Sequence, residues 1–116
     1  MDTNIELKIA RNKSIPITEV LYLQASENYT IFNLMANQKT IAAITLKHYE
    51  NILSDKGFIR PNRSFIIRTD FIQSINFHSK TIILKDTQII QVSRKKFPLL
   101  LPIFRDIDSN NNKIGI

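Results

Sequence analysis

The sequence contains no cysteine. Disulfide frameworks and thiolate metal sites are therefore excluded. Glycine is almost as scarce, with only Gly57 and Gly115 in 116 residues. That leaves no phosphate-cradling glycine loop and no flexible Gly/Ser-rich linker. Internal repeats are absent, and every apolar run is far too short to span a bilayer. The start, Met1-Asp2-Thr3-Asn4-Ile5-Glu6, carries acids where a signal peptide would carry an apolar stretch. A cytoplasmic chain with no membrane partner is the expectation.

Catalytic patterns are missing too. The two histidines, His48 and His78, fall on different elements, and no carboxylate is spaced to orient either. There is no serine elbow and no cluster of ligands for a metal. Both histidines are read as surface polar residues, and no catalytic residue, metal or cofactor is expected.

What is present fits one globular domain: 43% hydrophobic and 22% charged residues, at a length that can bury a single core. The net charge of +6 is unevenly spread. Residues 1–55 carry five Lys/Arg against six acids, whereas residues 56–105 carry ten against only Asp70 and Asp86. A basic stretch of that kind is either a solvated surface or the footprint of a polyanion.

Most segments read as strands, on β-branched and aromatic content. Glu6-Leu7-Lys8-Ile9 alternates. Val20 to Ala25 is nearly continuous in apolar residues, as in a strand buried on both faces. Tyr29 to Met35 follows the polar turn Ser26-Glu27-Asn28, and Asn37-Gln38 separates it from Thr40 to Ile44 in a hairpin. Ile72 to Phe77 alternates. Thr81 to Leu84 and Gln88 to Val92 flank Lys85-Asp86-Thr87 as a second hairpin. Thr45 can cap a helix through about Asp55, with Leu46, Tyr49, Ile52 and Leu53 on one face and Gly57 just past its end. Ser93 can cap a second helix carrying Phe97, Leu100, Leu101 and Phe104, which Pro98 and Pro102 should shorten or interrupt. The polar residues from Asp106 onward read as a flexible tail, 106–116, after a domain spanning 1–105. The class is mostly β with one clear helix, and no helix-turn-helix is evident.

Two basic segments carry candidate chemistry. In Phe58-Ile59-Arg60-Pro61-Asn62-Arg63-Ser64, Pro61 argues against a regular ladder, so Arg60 to Ser64 is expected as an exposed loop. Arginine suits guanine and asparagine suits adenine, because each offers two hydrogen bonds in one plane. In Val92-Ser93-Arg94-Lys95-Lys96-Phe97, three consecutive cations crowd a helix start, against the helix dipole. Three readings fit these features: a duplex-DNA binder, an RNA-binding β domain stacking bases on Tyr22, Tyr29 and Phe32, and a basic module that docks an acidic protein.

In chain order, these segments resemble the LytTR family of bacterial DNA-binding domains. The resemblance rests on Leu21-Tyr22-Leu23-Gln24-Ala25-Ser26-Glu27-Asn28-Tyr29, where the family has Glu-Ala and a Gly-Asn-Tyr-like turn. It continues through Thr45-Leu46-Lys47, then Phe58-Ile59-Arg60-Pro61-Asn62-Arg63-Ser64-Phe65, Ile72-Gln73-Ser74-Ile75 and Val92-Ser93-Arg94. Asn62 replaces the family's usual His, Arg68 its usual Asn, and Asp86-Thr87 its usual Asp-Gly turn. The resemblance implies an elongated fold of about ten short strands in small stacked sheets, with one clear helix and a short C-terminal one. It also implies sequence-specific reading of double-stranded DNA for transcription regulation, by loops in successive major grooves. On matching positions, Asn28, Asn62, Arg63 and Arg94 would meet bases, and Lys47, Arg60, Lys95 and Lys96 would meet phosphates. Imperfect direct repeats bound by two copies are implied as targets. A receiver domain or sensor partner commonly accompanies such domains. Only about four residues precede the first strand, so the chain is expected to be either free-standing or the C-terminal piece of a longer regulator.

Overall fold

A computed structural model describes residues 5–114; the first four residues, and the last two of the expected tail, lie outside the described residues. It contains ten strands and two α-helices among those residues. Strands β1 (Glu6–Ala10) and β2 (Lys13–Pro16) form a hairpin. The central sheet joins β3 (Val20–Ser26), β4 (Tyr29–Leu34), β5 (Lys39–Ala42), β6 (Phe58–Asn62) and β7 (Phe65–Arg68) in the order β5-β4-β3-β7-β6. A third sheet, ordered β10-β9-β8, is built from β8 (Ile72–Asn76), β9 (Thr81–Leu84) and β10 (Ile89–Gln91). All pairings are antiparallel. Helix α1 (Leu46–Leu53) follows β5, and α2 (Lys96–Ile114) closes the described chain. The body is elongated, 46 × 28 × 24 Å.

The central sheet is apolar on both faces, and this explains its sequence. Leu23, Phe32 and Ile66 point into one core with β1, β2 and α1, where Phe32 meets Tyr49 edge-on at 4.9 Å. Their neighbours Tyr22 and Ile67, together with Ile59, point the other way, into a core shared with the third sheet and α2. Adjacent residues of a strand face opposite sides, so burial on both sides demands an unbroken apolar run. Val20 to Leu23 is that run. Burial pushes the Tyr49 hydroxyl up to about 12, and it donates to the Lys8 carbonyl at 2.8 Å.

Three expectations are corrected. Pro61 lies inside β6 and is buried; it does not sit on an exposed loop. The β6–β7 pairing shifts register between Ile59 and Asn62, so Pro61's missing N–H falls where the ladder lapses. Pro98 and Pro102 do not shorten α2. Ser93 caps it, accepting the Lys96 N–H on its hydroxyl at 3.1 Å and the Phe97 N–H on its carbonyl at 3.0 Å, and Pro98 deletes only the next bond, to the carbonyl of exposed Arg94. Pro102 deletes one bond on the exposed side. The polar segment from Asp106 is helix through Ile114, held by Ile107 against the second core and by Asn111 Nδ2 donating to the Gln73 carbonyl at 2.6 Å.

Thr87 tests the turn chemistry. It holds φ +76 in the β9–β10 turn, a left-handed value that crowds a β-branched side chain. The left-handed cost for an L-residue is about 1–2 kcal/mol, and glycine returns about 0.5–1 kcal/mol to the unfolded chain. Thr87→Gly is therefore expected to stabilise the domain by about 0.5–1 kcal/mol, raising Tm by about 2–5 °C in thermal unfolding.

Candidate nucleic-acid interface

Two tight turns leave the same end of the central sheet. Ser26 pairs with Tyr29, so Glu27 and Asn28 form a two-residue turn in which Glu27 is held at φ +54. Asn62 pairs with Phe65, leaving Arg63 and Ser64 as the second turn. β3 lies between β4 and β7, and Gln24 pairs with Phe65, which puts the two turns side by side. The Ala25 N–H donates to the Ser64 carbonyl at 2.8 Å and ties them together. The third segment, Ser93 to Lys95, enters from β10. The Ser93 N–H donates to the Pro61 carbonyl at 2.9 Å, and Asn62 Nδ2 donates to the Gln91 carbonyl at 2.7 Å. All three turns are thereby locked to one edge of a stiff β body.

Beside the second and third turns lies an open groove of about 680 Å³. Six residues expected from the sequence line it: Lys47, Arg60, Asn62, Arg63, Lys95 and Lys96. Glu50, Gln91 and Ser93 complete the lining. Five cations thus face a single carboxylate. Burial pushes the Glu50 carboxyl up. The hydrogen bond and charge of Arg60, with the charges of Lys47 and Lys96, outweigh it and hold the group below the usual carboxylate range. Arg94 and Asn28 do not line the groove. Both are exposed, Arg94 next to Lys95 and Asn28 at the tip of the first turn. Among the described residues, Asn28, Arg63 and Arg94 have no side-chain hydrogen bond or ion pair, so their donors are open to an incoming partner.

Two of the expected contact residues are engaged within the chain. Arg60 has a side chain only 18% exposed, with Nη1 on Glu50 Oε1 at 2.6 Å and Nη2 on the Arg63 carbonyl at 2.9 Å. It is spent on holding α1 against the second turn. Asn62 uses its oxygen to accept the Ser64 N–H at 2.7 Å and its amide nitrogen on Gln91. It shapes the turn that presents Arg63. The sequence did not single out Glu50 or Gln91. The only local trace is Lys47 and Glu50 three apart on one helix, 3.7 Å from each other. The aromatics considered for base stacking are mostly inside: Phe32 is 0% and Tyr22 6% exposed, while Tyr29 is 46% exposed.

Among the described residues there is no group of histidine, cysteine and acidic side chains fit to hold a metal, and no helix is long and apolar enough to cross a membrane. Residues 10–104 match the family model of the LytTr DNA-binding domain. The fold is similar to the solved LytTr DNA-binding domain of a Bacillus cereus protein named as a methyl-accepting/DNA response regulator. That similarity has a TM-score of 0.63 at 25% identity and covers 92% of this chain and 97% of the other. No curated protein matches the chain.

Proposed function

Because the chain belongs to the LytTR family of DNA-binding domains, and not to an enzyme family, we propose that it reads specific duplex DNA through its three joined turns to regulate transcription. In this reading Arg63, Arg94 and Asn28 meet base edges in successive major grooves, and Lys47, Lys95 and Lys96 neutralise phosphates. One observation carries it: three turns far apart in sequence share one edge, bordered by a groove of five cations and one carboxylate. A rigid sheet fixes where each donor points, as sequence readout requires. Burial of Phe32 and Tyr22 leaves an RNA reading without its stacking platform.

Selection of bound duplexes from a random DNA pool at stated salt tests the proposal. A shared motif is expected, arranged as an imperfect direct repeat that seats two copies. Recovery of unrelated sequences would remove base reading. Lys96 supplies the accompanying salt test. Lys96→Ala is expected to weaken specific and random duplexes about equally, and to reduce the slope of log K against log salt by about 0.9, one phosphate contact. The signal reaching this domain is proposed to come from a receiver domain or sensor partner, as the name of the Bacillus cereus protein suggests for that molecule.

A further inference from the structure

At the opposite end of the central sheet from the three turns lies a cavity of about 460 Å³. Its walls include Leu21, Tyr22, Leu34 and Phe71, with Lys39, Lys85, Asp86 and Asn33 supplying polarity. Tyr22 and Phe71 stack at 5.9 Å, giving the cavity an aromatic wall. Asn33 sits on β4 directly across from Tyr22 and is only 6% exposed. Its side-chain amide nitrogen is buried and has no hydrogen-bond partner among the described residues. Asp86, by contrast, is engaged: it accepts from the Gln88 N–H at 3.0 Å and stands 3.3 Å from the Tyr22 hydroxyl, whose proton goes to Gln88 Oε1.

A buried amide donor without an acceptor is destabilising, and an apolar side chain of the same branched shape would remove that penalty. Asparagine at this position makes sense if an acceptor arrives from outside. Two lysines against one already engaged carboxylate favour an anion, and the aromatic and aliphatic walls favour an apolar body. The volume is within the usual range of small-molecule sites, about 300–1,000 Å³. From these observations we infer that the cavity is a binding site for a small aromatic carboxylate. Its carboxylate accepts the Asn33 amide proton once that side chain turns its nitrogen, closed to solvent in the free domain, toward Lys39 and Lys85, and its ring lies along Tyr22 and Phe71.

The site spans a seam. Asn33, Leu34 and Tyr22 belong to the central sheet, which carries the first two turns. Lys85 and Asp86 belong to the hairpin of the third sheet, which leads into Arg94. Tyr22 already clasps that seam through Gln88 Oε1 at 2.7 Å. An occupant touching both sheets fixes their relative placement, and with it the spacing of the three turns.

The test uses phenylacetate, 3-phenylpropanoate and 1-naphthoate, each against its neutral amide, with ¹H–¹⁵N correlation spectra of the whole chain. At least one acid is expected to shift the Asn33 side-chain amide and the backbone of Leu34 and Lys85 saturably. Its amide should bind about tenfold more weakly or worse, the effect of losing one charge pair. Asn33→Leu should abolish these shifts while raising Tm by a few degrees and leaving DNA binding intact. No saturable shift with any acid, or equal binding of acid and amide, would overturn the assignment. These spectra contain no DNA, so their outcome is separable from that of the proposed function. DNA affinity should change at least threefold with the bound acid in the wild type only, and an unchanged affinity would overturn the coupling through the seam.

Discussion

Arg63→Ala and Arg94→Ala will each weaken binding to the selected duplex by about 5- to 150-fold, that is by about 1–3 kcal/mol, with a smaller loss on random DNA. The asymmetry follows from how each guanidinium is held. Among the described residues neither has an internal partner, and each projects from a turn whose backbone is tied down on both sides. The Arg63 carbonyl is bound by Arg60, Ser64 is bonded to both Ala25 and Asn62, and Ser93 is bonded to Pro61. A donor pair on a fixed backbone meets the correct base without first paying to order a loop. On the wrong base the same pair is left unmatched, and only the charge remains useful. Truncation therefore removes readout and charge together on the specific site, but mainly charge on random sequence. Binding isotherms on both duplexes at one salt concentration check this. Equal losses on the two would show that these arginines serve only as phosphate contacts.

How far the sequence revealed this arrangement depends on which physics is local. Strand positions were legible because alternation and β-branching are written into neighbouring residues. Val20 to Ala25 even announced a strand buried on both sides. The turns were legible from Asn28 and from the cations around Pro61 and Ser93. What stayed hidden depends on partners distant in sequence. Pro61 reads as a breaker until the ladder is seen to lapse beside it. The polar stretch after Asp106 reads as a tail until Ile107 finds the second core and Asn111 finds Gln73. The same limit applies to the site. Arg60 and Arg63 look alike on paper, yet Glu50, ten residues back on α1, claims one of them and leaves the other free. Asn62 resembles a base reader by type, but its amide is used on Ser64 and on Gln91, 29 residues away.

That division between Arg60 and Arg63 leads to a second large effect. Arg60→Met is expected to destabilise the fold by about 2 kcal/mol, between the ~0–1 of exposed ion pairs and the ~3–5 of breaking a buried one. Side-chain exposures of 18% for Arg60 and 25% for Glu50 place the pair in that middle range. Tm should fall by about 8 °C. The variant should also lose about tenfold in affinity for the selected duplex, because the Arg63 carbonyl loses its anchor and Glu50 is left facing the groove unneutralised. Its salt slope should stay at the wild-type value, since a positioning residue releases no counterion. A slope shallower by about 0.9 would instead assign Arg60 to a phosphate. Arg60→Lys keeps the charge but cannot fork between Glu50 and the Arg63 carbonyl, so it should recover stability more than specific affinity. The pair also has a pH signature. The Glu50 carboxyl titrates below its ordinary range, so its contribution is present at neutral pH and lost as pH falls. Glu50→Gln should therefore be less stable than the wild type at pH 7, and the gap should close as pH falls through the ordinary carboxylate range and below it.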